Sequence, residues 1–368
     1  MAAIRRIAIN TGGGDAPGLN AVIHSAVYAA RNLGWEIVGI RDGYDGLLFP
    51  ERYQSGGLVP LRRGTVRDIA HLGGTILGTT NRGNPFRSLA RQPDGSVRET
   101  DRSQDVLDAM RAHGIDALIA VGGDGSLGIA HQLQQRGLRV VGVPKTIDND
   151  LESTVMTFGF DSAVSFATEC IDRLHTTASA HRRVMVVETM GRYAGWIALH
   201  SGVAGRADVI LIPEIPFDLD RAAECIARAA SHGRNYAIVV VAEGAAPRGG
   251  SMSIKSAQTA GKAEQLGGIG DLVASGLGDR TGMDARTVVL GHLLRGGSPT
   301  ATDRLLGLAF GTAAVRALRE GMDGVMVSIA PPHVRYVPLA DAVAALKRVP
   351  PDGDIMLAAR TLGISFGD

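Results

Sequence analysis

Apolar residues fall along this chain in two patterns that take turns. Short, nearly continuous apolar runs end in glycine, and longer stretches repeat near the helical period. The short runs read as strands at Ile4 to Ile9, Glu36 to Arg41, Asp116 to Val121, Val140 to Val143, Arg183 to Glu188, Ala207 to Ile212, Tyr236 to Ala242 and Asp284 to Leu294, with one more near Val325. The longer stretches read as helices at Leu19 to Leu33, Gln104 to His113, Thr157 to about Ala180, Asp220 to His232 and Asp303 to Arg319, with a last helix from Asp341. Pro85 to Thr100 reads as an exposed loop, and the first part of Pro247 to Gly282 as flexible chain. Strand, glycine turn and helix recur throughout, which predicts an α/β protein with parallel strands covered on both faces.

Composition narrows this picture. The 368 residues suggest about two domains, and 45% hydrophobic content with 49 glycines fits packed layers joined by tight turns. A net charge of +1 without a basic run or acidic tail argues against nucleic acid or a membrane surface as a partner. No signal-like or membrane-spanning apolar run is present, and Cys170 and Cys225 sit in apolar helical patterns as buried free thiols. A cytoplasmic enzyme or binding protein is expected.

The chemistry concentrates between Val121 and Asp150. A strand there breaks into Gly122-Gly123-Asp124-Gly125-Ser126 before a helix, the pattern that lets backbone N–H groups approach a phosphate at a helix N-terminus. Asp124 adds a carboxylate suited to a hard cation such as Mg²⁺. The next strand runs into Pro144, then Lys145, Thr146, Asp148 and Asp150. Read as extended chain, Thr146, Asp148 and Asp150 share one face. One carboxylate can serve as general base and another face the metal, which together with a phosphate cradle is what phosphoryl transfer requires. Further candidates lie at strand ends. Thr11 to Gly18 form a second glycine turn, Arg82 is a planar fork donor after a Gly-rich loop, and Met190-Gly191-Arg192 and Glu243 each follow a strand. Arg286, His292 and Arg295 suit a phosphate that is bound and not transferred.

Gly122 to Ser126 followed by Pro144 to Asp150 resembles the phosphofructokinase family, and the likeness extends over nearly the whole chain in family order. It includes Gly13-Gly14-Asp15-Ala16-Pro17-Gly18, the Gly43 to Leu47 loop, the Met190 to Trp196 run, Pro213 to Phe217 and Gly291 to Pro299. The resemblance implies two similar Rossmann-like three-layer domains facing across an active-site cleft. Residues 1–159 plus 294–344 would hold the phosphoryl donor, and 160–293 plus 345–368 the sugar phosphate. It implies Mg²⁺-dependent transfer to the 1-hydroxyl of fructose 6-phosphate. Asp148 would be the base, Thr146 would position the transferring group, and Asp124 and Asp150 would serve Mg²⁺. Gly14 and the Gly123 to Ser126 turn, with Arg82, would contact the donor. Met190, Gly191, Arg192 and Glu243 would hold the sugar, with Arg192 also stabilising transferring charge. Arg183, Arg286, His292 and Arg295 would bind the 6-phosphate, with Arg183 and Arg286 completing a neighbour's site in a homodimer or homotetramer.

The donor is read from two positions that point apart. Relatives that use pyrophosphate typically carry an aspartate where this chain has Gly125, so Gly125 leaves room for the α-phosphate of ATP. Lys145, however, resembles the pyrophosphate enzymes, as in a mixed-substrate subgroup. ATP is the expected donor, because an unpaired like charge in a dry pocket abolishes binding whereas an extra cation does not. Pyrophosphate is the alternative, and a non-catalytic sugar-phosphate sensor a lesser one. NAD and diacylglycerol kinases share Gly122-Gly123-Asp124-Gly125 but leave Met190 to Trp196 and Gly291 to Pro299 unexplained, and a dinucleotide dehydrogenase would need the spaced glycines and distal ribose acid that the Thr11 to Gly18 turn lacks. His24 and Tyr28 stand where allosteric bacterial relatives carry effector-binding arginines, which implies weak or absent effector control.

Overall fold

The computed structural model describes residues 4–91, 96–256 and 265–368. They form two compact units, one of Met1–Thr146, Leu151–Gly159 and Arg295–Ala345, the other of Ile147–Asp150, Phe160–Leu294 and Leu346–Asp368. The first unit opens with β1 (Arg6–Thr11), α1 (Leu19–Asn32), β2 (Glu36–Ile40), the single turn α2 (Asp45–Leu48), β3 (Leu58–Pro60) and α3 (Arg63–Val66). It continues through β4 (Ser88–Arg91), β5 (Val97–Thr100), α4 (Ser103–Ala112), β6 (Ala117–Gly122), α5 (Asp124–Gln135) and β7 (Val140–Pro144). The second unit holds α6 (Phe160–His181), β8 (Val184–Thr189), α7 (Trp196–Ala204), β9 (Val209–Leu211), α8 (Leu219–Ser231) and β10 (Ala237–Ala242). It goes on with β11 (Ile254–Ser256), β12 (Gln265–Leu266), α9 (Ile269–Thr281) and β13 (Ala285–Val289). The chain then returns to the first unit for α10 (Ala301–Arg319), β14 (Val325–Ala330), β15 (His333–Pro338) and α11 (Leu339–Ala342), and ends in the second with α12 (Asp354–Thr361).

The first unit is built on a seven-stranded sheet in the order β15-β14-β7-β6-β1-β2-β3. Its five central strands run parallel, and the outer strands β15 and β3 run antiparallel to their neighbours. Period-two alternation divides the strands between two cores: Ile7 and Ile9 face one and Ala8 the other. α1 covers the first face with Leu19, Val22, Ile23, Ala26, Val27 and Ala30, an apolar stripe at helical spacing that packs with α10. The second unit has a four-stranded parallel sheet, β13-β8-β10-β9. Its core joins Val184, Val186, Val239 and Val241 to Ile226 of α8 and Val273 and Leu277 of α9.

Several expected boundaries move. Pro85 to Thr100 is not all loop, because β4 and β5 pair as an antiparallel ladder. The run after Pro247 contains β11 and, in its last part, the unexpected helix α9, while residues 257–264 lie outside the described residues. The strand expected over Asp284 to Leu294 stops at Val289. Gly291, at φ 49, turns the chain into a 3-10 helix, Gly291–Arg295. α6 begins at Phe160 and not at Thr157, whose Oγ1 donates to the Thr146 carbonyl at 2.7 Å. The helix expected from Asp341 is a single turn, and after Pro350 and Pro351 the final helix starts at Asp354. β15 was not anticipated. Cys170 and Cys225 are free but only partly buried.

Candidate active site

In the first unit, the phosphate-binding candidates collect at the carboxyl ends of β1, β6 and β7. The Gly12 N–H donates to the Val121 carbonyl at 2.9 Å, and the Lys145 N–H to the Gly122 carbonyl at 2.9 Å, so the three strand ends are tied side by side. Ser126, in the first turn of α5, lies over them. A Cβ on Gly122 would come within 2.3 Å of the Ser126 Cβ, which is why this position admits only glycine. The Gly73 to Asn81 loop closes one side: the Gly13 N–H donates to the Thr80 carbonyl at 3.1 Å, and Thr79 Oγ1 donates to the Gly13 carbonyl at 2.6 Å. Arg82, next along this loop, is exposed.

Gly123 caps α5 without a side-chain hydrogen bond, so the first N–H groups of the helix are left for an outside acceptor. Asp124 and Gly125 are exposed at this end, and a Cβ built on Gly125 meets nothing within 4 Å. Lys145 is only 3% exposed, and its ammonium donates to the Gly14 carbonyl. Arg295 Nη1 donates to the Asp15 carbonyl at 3.1 Å, and a Cβ on Gly14 would run into its guanidinium. Gly14, Gly123 to Ser126, Lys145 and Arg295 thus form one cluster of backbone donors and cations. Arg295 belongs to this unit, whereas Arg183, Arg286 and His292 belong to the other.

The second unit gathers the remaining candidates. Ile147–Asp150 is grouped here, and it is not the extended segment expected: Ile147 and Asp148 form a turn, and the buried Asn149 takes a left-handed φ of 52. The one-face argument for Thr146, Asp148 and Asp150 therefore fails, because it needs uninterrupted alternation. Lys347 holds the turn, its ammonium donating to Asn149 Oδ1 at 3.0 Å and its N–H to the Asp150 carbonyl at 2.8 Å.

Met190, Gly191 and Arg192 follow β8, and Glu243 follows β10. The two loops clasp each other. The Glu243 N–H donates to the Thr189 carbonyl at 2.9 Å and the Gly244 N–H to the Gly191 carbonyl at 3.1 Å, while a Cβ on Gly244 would lie 1.9 Å from the Arg192 carbonyl oxygen. Thr189, at the root of this loop, is buried with no partner for its hydroxyl among the described residues. His292 is exposed in the turn beyond the carboxyl end of β13. Arg183 and Arg286 lie at the opposite, amino end of the same sheet, where both pair with Asp284, at 2.7 and 3.2 Å.

Three carboxylate or cation positions escaped the sequence reading. Glu188 is 4% exposed and accepts from the Gly270 N–H at 2.8 Å, countering the dipole at the start of α9. Glu214 accepts from the Gly195 N–H at 3.1 Å and the Val349 N–H at 2.9 Å. Lys347 is distant in sequence from the turn it holds, and only its lone position after an apolar stretch hinted at it. Burial, and then Lys347, push the His200 imidazole below its usual range. At the positions tied to effector binding, His24 stacks on Tyr28 with ring centroids 4.6 Å apart, and its Nδ1 meets the Val66 carbonyl at 2.7 Å.

Parallel sheets with glycine turns at their carboxyl ends, and an uncapped helix N-terminus beside a buried lysine, are the architecture of phosphate-binding α/β proteins. The family model for phosphofructokinase matches residues 6–318. The chain belongs to the phosphofructokinase family. It is 50% identical over 367 residues to the ATP-dependent 6-phosphofructokinase of Chloroflexus aggregans, covering 99% of this chain and 98% of that one. It is 48% identical over 350 residues to the pyrophosphate–fructose 6-phosphate 1-phosphotransferase of Amycolatopsis methanolica, covering 94% of this chain and 97% of that one. Among solved structures it is similar to Pichia pastoris phosphofructokinase in the T-state, with a TM-score of 0.78 and 33% identity over 94% of this chain and 36% of the larger yeast chain. Among the described residues no helix is long and apolar enough to cross a membrane.

Proposed function

We propose that this chain transfers the terminal phosphoryl group of ATP to the 1-hydroxyl of fructose 6-phosphate. The observation that carries the choice of donor is the open space around Gly125 at the uncapped start of α5. An ATP α-phosphate can be accommodated there without a like charge opposing it. In this reading the first unit binds the donor through the N–H groups of α5, the Gly14 turn, Arg82 and Lys145. Thr146 positions the transferring group, and Asp148 takes the proton of the sugar hydroxyl as it attacks phosphorus. Arg192 meets charge developing on the transferring oxygens. Met190, Gly191 and Glu243 hold the sugar, and His292 meets its 6-phosphate, while Arg295 lies against the Gly14 turn of the donor side.

Mg²⁺ fits the donor set. Among the described residues no group of three or more acidic, histidine or cysteine side chains forms a protein-only cage. Asp124 is exposed beside the helix N-terminus, as expected for an ion held by one or two carboxylates, phosphates and water. Asp124 would hold it, and when bound it would neutralise phosphate charge.

Arg183 and Arg286, at the amino end of the sheet, lie away from the Met190 to Arg192 loop of their own unit. That supports their serving a neighbouring copy in a homodimer or homotetramer. β13 is an edge strand, with Val289 56% and Leu293 62% exposed beside it, which favours pairing with a second copy.

Pyrophosphate is the second reading, favoured by Lys145, whose ammonium lies at the glycine turn where it can neutralise a leaving phosphate. The test is turnover of fructose 6-phosphate with Mg²⁺ and either donor supplied alone. Product with ATP supports the proposal, and product with pyrophosphate alone makes Lys145 decisive over Gly125. Turnover with neither, in folded protein, rejects both and leaves a sensor or another sugar acceptor.

A further inference from the structure

The strap from Lys347 to Val349 touches the turn that carries Asp148 and the start of α7, the helix that follows the Met190 to Arg192 loop. Toward Asp148, the Lys347 ammonium donates to Asn149 Oδ1 at 3.0 Å and the Lys347 N–H to the Asp150 carbonyl at 2.8 Å. Toward α7, which follows the Met190 to Arg192 loop, the Lys347 carbonyl accepts from Trp196 Nε1 at 3.0 Å. The Lys347 ammonium lies 5.6 Å from the centre of the Trp196 ring. Two residues on, the Val349 N–H donates to Glu214 Oε1 at 2.9 Å, and the Glu214 carboxylate also accepts from the Gly195 N–H at 3.1 Å. Asn149 itself is 4% exposed and left-handed, a conformation that asparagine tolerates in turns.

We infer that Lys347 is a positioning residue for the reaction: it clamps the Asp148 turn to the start of α7, so that the base and the sugar-binding loop keep one geometry. This rests on the reading of Asp148 as base. In this role Lys347 acts through the residues beside the base, Asn149 and Asp150, and through Trp196. A charge-assisted bond to a buried amide oxygen resists loss more strongly than a neutral one. A base displaced by about 1 Å costs on the order of 100-fold in rate.

The test uses Lys347→Met, which keeps the stem and removes the charge, Lys347→Arg, which keeps the charge, and Asn149→Gly, which removes the acceptor but tolerates the positive φ. Lys347→Met should lower kcat about 10- to 100-fold while the KM for fructose 6-phosphate stays within about threefold, and Lys347→Arg should recover part of the loss. Asn149→Gly should give a similar loss, and the double variant little more than either single one. Hydrogen exchange of the peptide spanning 145–151 should quicken in both single variants, whatever Asp148 does. An unchanged kcat, a KM that rises as far as kcat falls, additive losses, or unchanged exchange would each overturn the inference. Failure of the base reading is separate: it would appear as retained turnover in Asp148→Asn.

Discussion

On the proposed reading, the two units would handle phosphate chemistry with different materials. The first uses backbone. Gly12, Gly122 and Gly123 bring strand ends and the α5 N-terminus together, and the side chains that join them, Ser126 and Lys145, are themselves packed against glycines. The second uses side chains at both ends of a sheet: Arg192, Glu243 and His292 beyond its carboxyl end, and Arg183 and Arg286 at its amino end. A backbone cradle is intolerant of an added atom and indifferent to side-chain identity. A side-chain site is tolerant in volume but fails when one charge or proton acceptor is removed. Substitutions in the two units should therefore fail in different ways.

The largest effect is expected in the second unit. Asp148→Asn keeps the shape of the turn but removes the proton acceptor, so kcat should fall about 1,000-fold while fructose 6-phosphate still binds. Single-turnover kinetics with a parallel sugar-phosphate titration would check both halves. Next comes Gly125→Asp in the first unit. The space around this position predicts a folded protein with unchanged melting temperature, but a carboxylate facing the donor should lower kcat/KM for ATP at least about 100-fold, roughly 2.7 kcal/mol. Retained ATP use would remove the main argument for the donor.

Gly122→Ala should show the opposite signature. Its Cβ would lie 2.3 Å from that of Ser126, so stability should drop by about 1–3 kcal/mol, and donor binding with it, while the sugar site is spared. Denaturant unfolding measures the first effect and sugar-phosphate binding the second.

The smallest effect is electrostatic. Burial and then Lys347 hold the His200 imidazole below its usual value. A depressed folded value means that the unfolded chain binds the proton more readily. The contribution of His200 is therefore present in full above about pH 6.5 and is lost as pH falls toward the folded value. His200→Gln should flatten this part of the stability profile, and an unchanged slope between pH 5 and about 6.5 would show that other groups govern it.

Much of the first unit was legible because its rules are local. Glycine at Gly122 and Gly123, an apolar run before them and a helical pattern after them follow from strand and helix periods alone, and β6 and α5 form where that pattern puts them. Four of the positions that misled did so for identifiable reasons. Pro85 to Thr100 is polar enough to read as loop, yet β4 and β5 pair because an exposed antiparallel ladder needs little apolar surface. The Asp148 turn looks extended by alternation alone, although Asn149 is of a residue type that tolerates a left-handed turn. β15 is an antiparallel outer strand whose partner decides it. α9 follows a Gly-, Ser- and Lys-rich stretch that masked its start, and Glu188, far away in sequence, accepts from its Gly270 N–H.

The sequence by itself determined the α/β class, the order of turns and the residue types that carry the chemistry, because these depend on periodicity and on what a side chain can donate or accept. Only the tertiary structure decided which of those residues meet. It set Arg295 against the Gly14 turn, placed Arg183 and Arg286 at the far end of the sheet from His292, and brought Lys347 to Asn149. The reason is physical: such meetings are fixed by how sheets stack strands that are remote in sequence and by where the chain crosses between units, and no local pattern encodes either.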